Sequence, residues 1–209
     1  NIIQSQNTNE IIDSRKLNRF LSDLKYPLYY LDFETAINMV PVVDGTVPGQ
    51  QLFFQYSLHI KRDSKALLEH KEYLYGYNDI RLREITESLI NNLGSSGSVV
   101  VYNQKFEKMI IKDLIRMFPE YETRLNCILN RIVDLMIPFE KGYYYLKQFG
   151  NSVSIKVVLP SLFPNNKELD YYSNSSVRNG TQATSSFFET KTLPEHERKF
   201  ILDELKKYC

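Results

Sequence analysis

The chain has 209 residues, 43% of them hydrophobic, which is enough for one sizeable core and too few for two. Its 26 basic and 25 acidic side chains leave a formal charge of +1, so no overall field announces a nucleic-acid partner and any such site has to be local. Cys127 and Cys209 stand too far apart for a metal-binding pair and form no disulfide framework, and no run approaches the roughly 18 apolar residues that span a bilayer. With no secretory pattern in the opening NIIQSQNTNE, the cytoplasm is the expected compartment.

Apolar spacing predicts an amphipathic helix over 11–24, ended by Tyr26-Pro27. Residues 28–33 are apolar and aromatic up to Asp32, as expected of a central strand buried on both faces. After a loop marked by Pro41, Gly45, Pro48 and Gly49, strands are expected over 52–60 and 66–75. A helix follows over 79–93 with Gly94 as its cap, then a short buried strand over 99–102 and a helix over 105–118. Pro119 opens a further helical segment to about 130, and a short strand ends at Asp134. Residues 143–160 are too rich in Gly, Ser and Tyr to assign, and 170–186 read as loop. The last helix opens on Thr192-Leu193-Pro194-Glu195, a capping-box pattern, and runs through Tyr208. The order of elements is that of an α/β protein with a mixed sheet.

Asp32 and Glu34 are two apart at the end of the first strong strand, so both side chains leave the same face and can share one cation. Oxygen ligands of this kind suit Mg²⁺ or Mn²⁺. Glu107 follows a second buried strand at the start of a helix, and Asp134 ends a third apolar run. Simple structural tasks are open to each: strand-end capping for Asp32, dipole compensation for Glu107, an N-cap for Asp134. Their occurrence in this order is what gives the set weight.

The phrases YYLDFET, FFQYSLHI, VVVYNQKFEK, RIVDLM and SVSIKVVLP together resemble the DnaQ-like (DEDD) 3′–5′ exonuclease superfamily, in an uncharacterised bacterial branch where glutamate stands at the second motif. The resemblance implies an RNase H-like fold, a mixed five-stranded sheet flanked by helices, over residues 26–209, with 1–25 as an N-terminal helical extension. It implies two-metal hydrolysis with Mg²⁺ or Mn²⁺ held by Asp32, Glu34, Glu107 and Asp134, and with Tyr208 orienting the attacking water. The family's final acid would follow Tyr208 by four residues, past Cys209, so the chain is expected to be a piece of a longer protein, cut within its C-terminal helix. The expected partner is a single-stranded DNA or RNA 3′ end, met by Phe33, Thr35, Asn103, Lys105 and Lys156. Phe53, Phe54 and Tyr56 are further candidates for stacking on bases and Lys108 for a phosphate, with Tyr143, Tyr144 and Tyr145 as an aromatic cluster. The alternative is a catalytically inactive nucleic-acid or protein-binding domain on the same fold.

Overall fold

Along Leu28–Ile37 the buried Tyr29, Leu31 and Phe33 alternate with Tyr30, Asp32 and Glu34, and this segment forms the central strand of a five-stranded sheet. The computed structural model describes residues 9–166, 169, 176–177 and 179–209. Its strands are β1 (Glu10–Ile12), β2 (Leu28–Ile37), β3 (Gln51–Lys61), β4 (Leu68–Leu74), β5 (Ser98–Val101), β6 (Ile132–Asp134) and β7 (Tyr144–Leu146). Its α-helices are α1 (Ser14–Ser22), α2 (Leu82–Asn92), α3 (Gln104–Met117), α4 (Glu122–Leu129), α5 (Ile137–Glu140), α6 (Ile155–Leu162), α7 (Gly180–Glu189) and α8 (Glu195–Tyr208). The sheet order is β4-β3-β2-β5-β6. The first three strands form an antiparallel meander, and β5 and β6 run parallel to β2. This is a mixed α/β architecture with helices on the sheet.

Register fixes which side chains share a face. Leu31 lies opposite Leu58 and Phe33 opposite Tyr56, and these join Ile85 and Leu89 of α2 and Ile110 and Leu114 of α3 in one buried cluster. On the other face Tyr30, Asp32 and Glu34 lie opposite His59, Ser57 and Gln55. Between Glu34 and Thr35 the register slips, so that β3 contributes one extra residue, Phe54. The slip leaves Phe53 edge-on to Phe33 at 4.8 Å while Phe54 stacks on Phe187 of α7 at 4.2 Å. Helix α8 is docked by Gln55, whose Nε2 donates to the Leu205 carbonyl at 2.9 Å, and by an ion pair between Lys206 and Glu72 at 3.5 Å.

The entry to β5 depends on Gly97. Its φ is +87°, and a Cβ there would lie 2.1 Å from the Pro27 carbonyl oxygen, so only glycine lets Ser98 come alongside Leu28.

Three expectations need correction. Residues 11–24 are not one helix, because Glu10–Ile12 is a strand paired with Tyr144–Leu146 and α1 starts only at Ser14, capped by Asp13. The N-terminal segment is thereby tied to the domain by a second, two-stranded sheet. Within 170–186, Gly180 onward is helix α7, started by Asn179, whose side chain accepts the Gln182 N–H; residues 170–175 and 178 lie outside the described residues. The Thr192 capping box does not form: α8 begins at Glu195 with no side-chain cap.

Candidate active site

Strand β5 pairs with β2 only through Leu28, Tyr29 and Tyr30, after which the chain turns away at Tyr102 into α3. The carboxyl half of β2 therefore has a neighbour on one side only, and a cleft of about 410 Å³ opens there. It lies where the connections of the sheet diverge, β2 leading to β3 on one side and β5 to β6 on the other, a position at which α/β sheets commonly take ligands. Tyr30, Asp32 and Glu34 of β2 and Ser57 and His59 of β3 form the floor. Ile155 and Lys156, at the start of α6, make one wall, and Tyr208 and Cys209, at the end of α8, another; Tyr102 and Leu135 close it.

One ligand atom from each of Asp32, Glu34 and Cys209 falls within 4.8 Å of the others. Asp32 is open to solvent from the cleft, yet protein surrounds it on its other sides; burial raises its pKa to about 6, opposed by the Phe33 N–H that its Oδ1 accepts at 3.1 Å. Glu34 is pushed up to about 8, first by burial and then by the Asp32 charge, against the lowering influence of Lys156. Glu107 is 3% exposed, and its Oε2 has no hydrogen-bond partner among the described residues. Burial, followed by repulsion from Asp32 and Asp134, lifts it to about 8, although a backbone hydrogen bond pulls the other way. Burial and the same two carboxyls of β2 raise the Cys209 thiol, whose Sγ lies 3.9 Å from the Asp32 carbonyl oxygen.

Asp32 repels both Glu34 and Glu107, and Glu107 has an orphaned buried oxygen, so a divalent cation beside Asp32 would relieve charge that the protein leaves unbalanced. Asp32, Glu34 and Glu107 have the oxygen chemistry for Mg²⁺ or Mn²⁺; the soft sulfur of Cys209 suits such hard ions poorly.

The structure thus brings Asp32, Glu34, Lys156 and Tyr208 to one cleft, with Glu107 close enough to feel the Asp32 charge. Asp134 is occupied otherwise. It is 3% exposed; Oδ1 accepts the N–H groups of Asn103 and Met136, and Oδ2 that of Gln104, each at 2.9 Å. Val101 lies opposite Asp134 across the parallel ladder, so its carboxylate reaches the start of α3 and caps that helix from the next strand. The expected ligand role of Asp134 has to compete with this fastening, in which backbone amides already engage both of its oxygens.

Phe33 and Thr35 do not meet the cleft. Phe33 is 2% exposed in the core, because it alternates with Asp32 and Glu34, and the Thr35 hydroxyl is directed to the Gln51 side-chain carbonyl. Phe53, Phe54 and Tyr56 are likewise buried. Tyr144 and Tyr145 pack with Phe149, and the Tyr144 hydroxyl donates to Glu10 beneath the small sheet. Asn103 is exposed at the turn into α3 in a left-handed conformation, φ 72°, held by its N–H bond to Asp134. Lys105 is exposed but lines an adjoining groove rather than the cleft. Nothing in the local sequence pattern singles out Ser57, His59, Tyr102 or Cys209 as cleft residues. Only strand register, Asp32 opposite Ser57 and Tyr30 opposite His59, puts these two on the floor, where His59 stacks on His70 at 4.4 Å.

Fold and cleft define an α/β domain with an acidic site at the carboxyl edge of its central strand. Residues 29–154, more than half of the chain, match the family described as Domain of unknown function (DUF2779), and the chain belongs to that family. It is 26% identical over 212 residues to Uncharacterized protein MG366 of Mycoplasma genitalium, covering 93% of this chain and 31% of that protein. It is 28% identical over 210 residues to the MG366 homolog of Mycoplasma pneumoniae, with 92% and 32% covered. Over 206 residues it is 26% identical to Uncharacterized protein UU173 of Ureaplasma parvum, with 89% and 29% covered. The chain spans about a third of the length of these curated relatives. No solved structure matches it at a significant level.

Proposed function

We propose that this domain is a metal-dependent 3′–5′ exonuclease of the DnaQ-like type on an RNase H-like fold, hydrolysing phosphodiesters at single-stranded or frayed DNA or RNA ends. The observation that carries the reading is the juxtaposition of Asp32 and Glu34 on the floor of one cleft, with Glu107, whose buried oxygen has no partner among the described residues, near enough to be repelled by Asp32. The mixed five-stranded sheet, with that pair on its central strand, agrees with it.

Asp32, Glu34 and Glu107 would hold the cations, which supply charge neutralisation at the phosphate and Lewis-acid polarisation when bound. The protein's own part is placement. Alternation along β2 sends both carboxylates into the cleft, and the Phe33 N–H steadies Asp32. Lys156, whose charge already favours the ionised form of Glu34, is placed to balance a phosphate. Tyr208 enters from the opposite wall, where its hydroxyl can orient a water molecule at the scissile bond. The engagement of Asp134 with three backbone amides favours the second reading, a binding domain without catalysis, because it removes one acid from the catalytic set.

The test is degradation of 3′- and 5′-labelled single-stranded DNA and RNA by the polypeptide as its gene encodes it, with Mn²⁺ or Mg²⁺ and with EDTA. The expected result is metal-dependent shortening from the 3′ end that Asp32→Asn abolishes. Binding without any cleavage would select the second reading, and equal activity in Asp32→Asn would sink the cleft assignment.

A further inference from the structure

Helix α3 carries Glu107, Ile110, Ile111 and Leu114 on its buried side. Its outer side has a different pattern: Lys105, Lys108, Lys112 and Arg116 recur at intervals of three, four and four, which places them in one row. At 1.5 Å per residue the row is about 16 Å long. It forms one bank of a groove of about 750 Å³ whose other bank comes from α4, and Met109 and Leu129 line the floor. Lys105, Lys108 and Lys112 make no ion pair among the described residues, whereas Arg116 is paired with Asp113. The groove also holds the acids Asp113 and Glu122 against four basic side chains, so its charge stays positive but is not extreme.

In a chain of net charge +1, three unpaired lysines in one row are a local concentration of positive charge. Their position gives the row a direction. It begins at the N-terminal end of α3, where the helix dipole adds to it, three residues from Tyr102 of the acidic cleft. Along the chain only Asn103, exposed and in the left-handed conformation, and Gln104 stand between Tyr102 of the cleft and Lys105 of the groove. An acidic cleft and a basic groove whose linings follow one another along the chain have the electrostatic layout for a polyanion whose end enters the cleft and whose body lies along the helix.

We propose that the α3–α4 groove is the track for the phosphate backbone of a single-stranded nucleic acid, with Lys105, Lys108 and Lys112 each neutralising a phosphate. The polyanion's identity rests on the nuclease reading above. The apolar floor at Met109 and Leu129 can take the faces of unpaired bases without reading their sequence.

The experiment is binding of a labelled oligothymidylate in EDTA, followed by fluorescence anisotropy over a series of NaCl concentrations, alongside the cleavage assay with Mn²⁺. The proteins compared are the wild type, the triple variant Lys105→Ala/Lys108→Ala/Lys112→Ala, the corresponding triple Lys→Arg variant, and Asp32→Asn. Each phosphate contact on a single strand contributes about 0.7 to the slope of log affinity against log salt, so the alanine variant is expected to lose about 2 from that slope. Arginine should retain it. Equal thermal melting of the variants shows that the fold is intact. An unchanged slope in the alanine variant overturns the groove, including the case in which the row serves an acidic protein instead. If cleavage persists in that case, the cleft reading stands alone; if the slope falls as expected but nothing is ever cleaved, the groove stands and the nuclease reading falls.

Discussion

On one face of the central sheet Leu31, Phe33, Tyr56 and Leu58 lie against α2 and α3; on the other, one residue out of phase along the same strands, Asp32, Glu34, Ser57 and His59 line a cleft. The two faces use one backbone and one period of alternation, but opposite physics. The apolar face gains stability by removing side chains from water, at about 25 cal/mol for each Å² buried. The cleft face crowds carboxyl groups where ionisation is unfavourable, as the raised pKa values of Asp32, Glu34 and Glu107 report. A site of this kind is held in place by the face behind it and contributes nothing favourable of its own while its carboxyls are ionised together.

The largest effect expected from breaking this contrast is on the cleft side. Asp32→Asn should lower metal-dependent cleavage by more than the about 10- to 100-fold typical of residues that only support a metal ligand. It should leave thermal stability in EDTA unchanged or higher, which a melting curve beside the cleavage assay would show. The converse change is Leu58→Ala. It should cost about 2–5 kcal/mol in chemical denaturation, because it empties a fully buried position, while Mn²⁺ affinity in the folded protein stays within a few-fold of wild type. A large loss of affinity there would mean that the two faces are not separable.

Asp134→Asn sharpens the boundary between the faces. Replacing one acceptor oxygen by an amide nitrogen sets a donor against a backbone N–H, and should cost about 1.5–3 kcal/mol of stability. Mn²⁺ affinity by titration calorimetry should hardly move; a loss as large as that of Asp32→Asn would make Asp134 a ligand after all.

A pH dependence probes the same contrast without any substitution. In the unfolded chain these carboxyls lose their protons near about 4, whereas in the fold Asp32 keeps its proton to about 6 and Glu34 and Glu107 to about 8. The folded state therefore binds more protons between those limits, and stability falls as pH rises from about 4 towards 8. Melting temperatures measured in EDTA should decline across that window, and Mn²⁺ should restore them at the alkaline end. A flat profile in EDTA would remove the electrostatic part of the contrast.

Much of this arrangement is visible in the sequence because it is local. Period-two alternation in YYLDFET identifies β2 and puts Asp32 and Glu34 on one side; helical spacing through Ile85, Leu89, Ile110 and Leu114 finds the buried faces of α2 and α3. Even so, alternation read correctly for the two acids was not applied to Phe33 and Thr35 between and beyond them, which is why those were expected at the substrate. The strand Glu10–Ile12 was hidden because three residues carry no usable period, and its stability comes from pairing with β7 across the chain.

What the sequence determined by itself was the class of the fold, the central strand and the identity of its paired carboxylates, since each follows from backbone geometry within a few residues. Only the tertiary structure decided who shares the cleft. Ser57 and His59 arrive by strand register, Lys156, Tyr208 and Cys209 by the docking of helices distant in sequence, and Asp134 is drawn away to the amides of α3 by the parallel pairing of β5 and β6. Those placements depend on contacts between segments far apart in the chain, and no local pattern encodes the distance between them.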